Sequence, residues 1–462
     1  MKATKPQQTQ GTPVPGQEAA QQEPTAPEST AQELLAQGEP IPAQELSAQG
    51  VPIPAQWQRI VAAVWTGQAV SFITSGAAGY ALIWYLTETT GSATILALST
   101  IMYFLPVALL GPFAGTIVDR YNRKHIMIVA DLGIAAITVI MAFLIIAGFT
   151  SVPLILAMIA VRSIGTTFHQ PAMQAVMPLL VPDRHLVRIN SLDQGIMAIS
   201  NIGAPALGIF MYAALGLQIA LFADAAGALI ACGILLLVHI PNVHMATSER
   251  TGVLSEMADG FKAVRAVRGM LLFLVFVTLG CVAYMPVASL FPLMTYSHFG
   301  GGGYEAALVE AVFGAGFLIG SAVLGFWGGG KRLYLLICFS MIITGITFAA
   351  CGFLPTSGFI WFVALSGVMA IAGAFFNGPM MALIQRRIEP KKLGRVMALT
   401  GSLMSLAAPA GLVVAGPIAD QIGIAPWFII CGAALTLISV VALIPQSTRS
   451  LDTAPKAPEE VQ

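Results

Sequence analysis

The sequence predicts an all-α integral membrane protein with twelve transmembrane helices in two six-helix halves. Four observations predict it. Hydrophobic residues make up 56% of the 462-residue chain and charged residues 10%, against roughly 25% charged in a soluble domain. A surface so poor in charge must meet lipid. Apolar runs of about 20 residues, the length that crosses a hydrocarbon core, recur along the chain. The basic residues then fall on one side of those runs, and the two halves repeat each other.

The elements follow in order. Residues 1–56 are rich in Pro, Gln, Ala and Glu and hold no apolar h-region. The expectation is a disordered cytoplasmic tail, not a signal peptide. Within it Ala36–Gln44 is duplicated as Ala48–Gln56. The expected spans are 58–86, 93–118, 124–148, 152–180, 189–213 and 217–240, then 270–296, 304–327, 332–354, 358–384, 396–420 and 424–445. The expected organisation is a tail 1–56, an N-terminal half 57–240, a cytoplasmic linker 241–268, a C-terminal half 269–445 and a cytoplasmic tail 446–462.

Charge sets the orientation. With the N-terminus inside, 21 of the 22 Lys and Arg residues lie in cytoplasmic loops and tails, and the other, Arg162, lies within span 4. The positive-inside rule then places both termini in the cytoplasm of a cell (inner) membrane. A net charge of zero gives no sign of nucleic acid. The five cysteines sit in apolar runs without a CxxC pair, so neither a disulfide framework nor a metal site is expected. Walker A, GxGxxG, HExxH and GxSxG patterns are absent, and neither an enzyme nor a cofactor site is expected.

Between spans 2 and 3 stands Gly115-Thr-Ile-Val-Asp119-Arg120-Tyr121-Asn122-Arg123-Lys124. A carboxylate at a helix end meets cations and the N-terminus of a facing helix, which makes a conformational latch. Asn122 stands where glycine is usual in the pattern this stretch resembles, and asparagine also tolerates positive φ. The matching loop before span 9, Gly325 to Arg332, has no acid.

In span 4, Arg162 lies roughly 14 Å deep at 1.5 Å per residue, and intramembrane charges mark transport pathways. The acids at membrane depth are Asp131, Asp224 and Glu310, with Asp193 near the start of span 5. A carboxylate that takes a proton on one side and releases it on the other is what antiport needs. Asp131 has the alternative of pairing with the basic loop. His169 is a candidate proton shuttle or a packing residue. In span 5, Gly195, Gly203, Pro205 and Gly208 form a small-residue stretch that lets helices approach; the expectation is either a seal between the halves or ordinary helix packing. Phe72, Tyr80, Tyr103, Tyr284, Met285, Phe376 and Met380 suit a bulky lipophilic ligand.

Phe168 and Pro171 in span 4 recur as Phe376 and Pro379, and Leu186 and Arg188 recur as Leu393 and Arg395. Parallel halves of this kind bind substrate between them near the midplane. The 115–124 loop, Arg162 to Ala175, Tyr284 to Pro292 and Gly394 to Ser405 resemble the macrolide efflux branch of the major facilitator superfamily. The resemblance implies the major facilitator fold and drug–proton antiport by alternating access. It also implies Gly115, Asp119, Arg120, Arg123 and Lys124 as the gate, H+ as the coupling ion and a cytoplasmic ATP-binding partner. A monomer in the lipid bilayer, exporting bulky amphipathic compounds such as macrolide antibiotics, is expected. Export of a siderophore-like metabolite, or a transport-inactive receptor or scaffold, stay open.

Overall fold

A computed structural model describes residues 53, 56–238, 240 and 253–453, although not the side chains of Asp119, Asp193, Gly195 and several neighbours. The duplicated segment of the N-terminal tail, apart from Ile53 and Gln56, and residues 454–462 lie outside the described residues. The N-terminal half holds α1 (Trp57–Thr90), α2 (Ala93–Arg120), α3 (Arg123–Ile146), α4 (Val152–Leu180), α5 (Asp183–Leu215) and α6 (Leu217–Leu237). A linker helix α7 (Val253–Ala266) follows. The C-terminal half holds α8 (Met270–Ser289), α9 (Gly303–Trp327), α10 (Leu333–Phe353), α11 (Phe359–Arg387), α12 (Pro390–Ile422) and α13 (Ile424–Ala442).

Eleven of these helices are long and apolar enough to cross a membrane, and in α5 the described apolar part is Ser200–Leu215. Large apolar side chains stand exposed along them, with Phe326 96% and Leu237 89% accessible. In water that surface would be costly; in lipid it is the solvent contact.

Local chemistry sets the breaks. Gly91 closes α1 at φ 57°, a left-handed conformation that glycine adopts without a Cβ clash. Ser92 then caps α2, accepting from the Ile95 N–H at 3.4 Å. Helices α5 and α12 begin six residues before the expected spans 5 and 11, because hydropathy falls at the bilayer edge while backbone hydrogen bonding continues. Span 7 is shorter as a regular helix. It ends at Ser289 and continues through the turn Phe291–Leu293 and the π-turn Met294–His298, since Pro292 has no N–H to donate.

The duplication is visible in the helices. Val152 and Phe359, Asp183 and Pro390, and Leu217 and Ile424 open matching helices at an offset of 207 residues. Matching pairs pack alike: α1 with α5 and α6, α3 with α4 and α6, and α2 with α4 in one half; α8 with α12 and α13, α10 with α11 and α13, and α9 with α11 in the other. The halves meet through α2 against α12 and α5 against α9, the same pairing exchanged about a pseudo-two-fold. With lipid as solvent, small residues at the crossings supply the packing: a Cβ at Gly314 of α9 would run into Ile202 of α5, and one at Gly416 of α12 would stand 2.8 Å from Thr94 of α2.

The chain beyond Pro445 is not all tail. Leu451 is 1% exposed, and the Asp452 carboxylate accepts from the Tyr334 N–H at 2.8 Å and the Leu335 N–H at 3.2 Å. The expected tail 446–462 therefore begins as a strap over the basic end of the C-terminal half. An apolar residue and an acid for a bare helix N-terminus hold it there.

Candidate functional site

Four helices of the N-terminal half converge on a buried ion pair. Arg162 Nη1 of α4 stands 2.7 Å from Asp224 Oδ2 of α6, with Arg162 9% and Asp224 0% exposed. Thr138 of α3 joins both, donating to Asp224 Oδ2 at 3.0 Å and accepting from Arg162 Nη1 at 2.8 Å. From α1 the Ser75 hydroxyl donates to Asp224 Oδ1, and the Ser75 carbonyl accepts from Arg162 Nη2 at 3.2 Å. An unpaired charge here would be costly, so each charge is held by the other and by neutral hydrogen-bond partners. Protonating Asp224 removes half of the pair and frees the guanidinium. Sequence reasoning named both charges; Ser75 and Thr138, ordinary residues in apolar helices, were missed.

Asp131 does not pair with the basic loop. Its Oδ1 lies 3.3 Å from His169 Nε2 of α4, because α3 and α4 run antiparallel and bring the two residues level. Glu310 of α9 is half-buried and makes no ion pair with a described residue; it lies in electrostatic range of the phenols of Tyr80 on α1 and Tyr284 on α8. Glu310 thus faces the opposite half and does not join the Arg162–Asp224 pair.

At the basic end Asn122 caps α3, accepting from the His125 N–H at 3.3 Å, with φ −63°. No positive φ is needed there, so the expected tolerance for it plays no part. Lys124 Nζ donates to the carbonyls of Val238 at 2.8 Å and Leu236 at 3.4 Å. It therefore serves the C-terminal end of α6 in its own half rather than a partner across the interface. Arg123 is 6% exposed, whereas Arg120 is exposed. A Cβ at Gly115 would meet nothing within 4 Å. Asp119 lies at the end of α2, its side chain outside the described residues.

At the opposite end stands a latch that the sequence reading missed. Asp420 of α12 accepts from the Ala93 N–H at 2.6 Å, the Thr94 N–H at 3.1 Å and the Ser92 hydroxyl at 2.9 Å. A C-terminal-half carboxylate thus caps the N-terminus of an N-terminal-half helix. Nearby Trp84 packs edge-on to Tyr296 with centroids 6.2 Å apart, and a Cβ at Gly303 would stand 2.7 Å from Ala213 Cβ. Beside the latch lies a cavity of about 340 Å³, with Leu293, Ser297, His298 and Asp420 in its wall.

The small-residue stretch of α5 packs within its own half. A Cβ at Gly208 would collide with the backbone of Ala77 on α1, and a Cβ at Gly76 of α1 would stand 2.7 Å from Ala204 Cβ. A Cβ at Gly203 would meet nothing, so Gly203 is not a packing contact, and Pro205 is buried inside the helix. Contact with the other half comes instead from Ile202, against Gly314, and Ile209, against Ala306 and Ala307. Gly195 falls among residues whose side-chain surroundings are not described.

Among the expected ligand-facing residues, Phe72, Tyr80, Tyr284, Met285 and Phe376 are half-buried and Tyr103 is 44% exposed. Met380 is 0% exposed within the main apolar core, which removes it from a ligand surface. Apolar character alone does not tell a core face from a cavity face. All five cysteines are free and buried.

The Major Facilitator Superfamily family model matches residues 64–411 and 287–461. Macrolide efflux protein A of Streptococcus pyogenes is 39% identical over 399 residues, covering 86% of this chain and 98% of that protein. Macrolide efflux protein A of Enterococcus faecalis is 40% identical over 325 residues, covering 70% of this chain and all of that protein. Among solved structures, the nucleoside transporter NupG superposes with a TM-score of 0.66 at 14% identity, covering 83% of this chain and 98% of that one.

Proposed function

The chain belongs to the major facilitator superfamily, and we propose that it exports macrolide antibiotics and similar bulky amphipathic compounds against a proton gradient, by alternating access of its two halves. That it is an efflux transporter, and not an enzyme, follows from the family and from relatives called macrolide efflux proteins. Proton coupling, alternating access and the substrate are the further reading.

The observation that carries it is the buried Arg162–Asp224 pair at 2.7 Å. A structural ion pair in the middle of an apolar helix bundle is a poor source of stability. A pair broken by one proton and remade on its loss is a way to link a proton gradient to conformation. The expected orientation, with the basic loops and both termini in the cytoplasm of the cell membrane, puts the Asp420 latch outside. The gate segment Gly115, Asp119, Arg120 and Arg123 then lies inside. The two alternate: a charge at a helix N-terminus closes one end while the other opens. Phe72, Tyr80, Tyr103, Tyr284, Met285 and Phe376 form the ligand surface between the halves, with Glu310 facing it. The chain works as a monomer, with H+ as its coupling ion. A cytoplasmic ATP-binding partner would meet its basic face.

The test is accumulation of radiolabelled erythromycin in a drug-sensitive host producing the chain, with and without a protonophore. The reading expects low accumulation that rises when the gradient collapses, and loss of export in Asp119→Ala. Accumulation equal to the empty host, with the protein present in the membrane, overturns the macrolide reading in favour of another exported compound.

A further inference from the structure

The ion-pair layer has a second polar layer beneath it on the same four helices. The upper layer is Ser75 of α1, Thr138 of α3, Arg162 of α4 and Asp224 of α6. Seven residues toward the basic end along each helix stand Gln68, Asp131, His169 and Ala231, with Cys232 next to the last. Seven residues are two helical turns, about 10 Å. The upper layer satisfies its charges, and the lower one does not. Gln68 is 7% and Asp131 4% exposed. Gln68 Nε2, Asp131 Oδ2 and His169 Nε2 are buried without a hydrogen-bond partner, His169 Nε2 lying 3.3 Å from Asp131 Oδ1.

Leaving three polar groups unsatisfied in an apolar bundle costs free energy that apolar residues would not. Ordered water is what such groups usually hold. The space between the layers is also polar on one side: Ser71, 6% exposed, shares a face of α1 with Gln68 and Ser75 at helical spacing. Gly165 of α4 lies between Arg162 and His169, and a Cβ there would stand 2.7 Å from Ile134 of α3.

We propose that Gln68, Asp131 and His169 form a second proton station on the release path from Asp224 to the basic face. This rests on the proton-coupled reading above. When Asp224 pairs with Arg162 it has given up its proton. That proton passes by the hydroxyls of Ser75 and Ser71 and bridging water to an imidazole nitrogen of His169. Asp131 holds the imidazolium, which then gives one proton to water at the basic face. One proton moves, and no other bond changes. His169 suits the step because imidazole takes and gives a proton near neutral pH. The charged and titratable groups recorded about it are Asp131 on α3, 3.3 Å from His169 Nε2, and Cys232 on α6, within electrostatic range of Asp131; Arg162 stands two turns away on its own helix, within electrostatic range of Tyr103 on α2, and α1 brings the neutral Gln68.

The experiment places the full chain in proteoliposomes with labelled erythromycin. It compares exchange without any gradient with accumulation driven by a pH gradient, from about pH 5.5 to about pH 8. His169→Gln is expected to keep exchange within about twofold, to lose about tenfold or more of driven accumulation and to flatten its pH profile. Asp131→Asn, which removes the charge that favours imidazolium, moves the midpoint of the profile to lower pH. His169→Asp combined with Asp131→His restores driven accumulation. Driven accumulation and a pH profile unchanged in His169→Gln overturn the station. So does equal loss of exchange and accumulation, which assigns the pair to packing. Wild-type chain that exchanges erythromycin without responding to the gradient overturns the proton-coupled reading and the station with it. Wild-type chain that does not exchange erythromycin at all overturns the substrate reading, and the station built on it.

Discussion

Asp420 of α12 and Ala93 of α2 are joined across the two halves by a hydrogen bond of 2.6 Å, from a backbone N–H to a carboxylate. Two further bonds, from Thr94 N–H and the Ser92 hydroxyl, reach the same carboxylate. A cap combined with a helix dipole is worth about 1–2 kcal/mol, a factor of roughly 5–30 in a two-state balance. Asp420→Ala is therefore expected to shift the population toward the state open at this end by about that factor. Spin labels at Thr89→Cys and Gln421→Cys, both exposed positions, would report it as a longer distance population. An unaltered distance distribution would show that apolar contacts such as Leu412 against Ala97 and Ile101 hold this end without the acid.

The Arg162–Asp224 pair makes a prediction with two signs. Asp224→Asn leaves a guanidinium buried without its counter-charge and is expected to cost about 3–5 kcal/mol, read as a lower unfolding temperature in detergent. Arg162→Leu combined with Asp224→Leu removes both charges and should recover most of that loss, because a neutral pair needs no compensation. The double variant is nevertheless expected to lose gradient-driven export completely. Export surviving in the double variant would move proton coupling elsewhere, to Glu310 first.

Much of this was legible in the sequence, for physical reasons that also mark where it stopped. Lipid demands apolar length, so the helix bounds of α4 match the expected span at both ends. Arg162 and Asp224 were visible as charges at membrane depth. Their pairing was not, because it depends on how α4 and α6 meet around α3. Ser75 and Thr138 look like any small polar residue in a membrane helix. Asp420, at the end of span 11, was not singled out, although one signal was available. An acid at a helix C-terminus opposes its own helix dipole, and such a residue makes sense when it serves another helix's N-terminus. The α5 glycines showed small size but not the face each occupies, so Gly203 and Gly208 could not be told apart.

That difference is testable. Gly208→Ala adds a carbon where the Ala77 backbone stands, and backbone does not yield as a flexible side chain does. A loss of about 1–3 kcal/mol is expected. Gly203→Ala adds a carbon to open space and gains helix propensity, so stability should stay level or rise by up to about 1 kcal/mol. Thermal unfolding of the two variants side by side decides the matter. Equal losses would mean that both glycines serve as flexible joints in α5 and that contact with α1 is not the reason for Gly208.

The strap at the end of the described chain carries the last prediction. Asp452 satisfies two N–H groups at the start of α10, Leu451 is 1% exposed, and a Cβ at Gly269, before α8, would collide with the Ser447 carbonyl. Losing the cap alone, in Asp452→Ala, is expected to cost about 1 kcal/mol. A chain ending at Pro445 also gives up Leu451, worth about 1.5–3 kcal/mol when fully buried, and should be the less stable of the two. Cys338 and Cys351 are buried in α10, so in a Cys232→Ala background, which removes the cysteine of α6, a fluorescent maleimide that reacts only on unfolding follows this half. The expected order of midpoints is wild type, then Asp452→Ala, then the shortened chain. A shortened chain as stable as wild type would show that the bundle of α8 to α13 closes without its strap, leaving Asp452 as a cap on an already stable helix end.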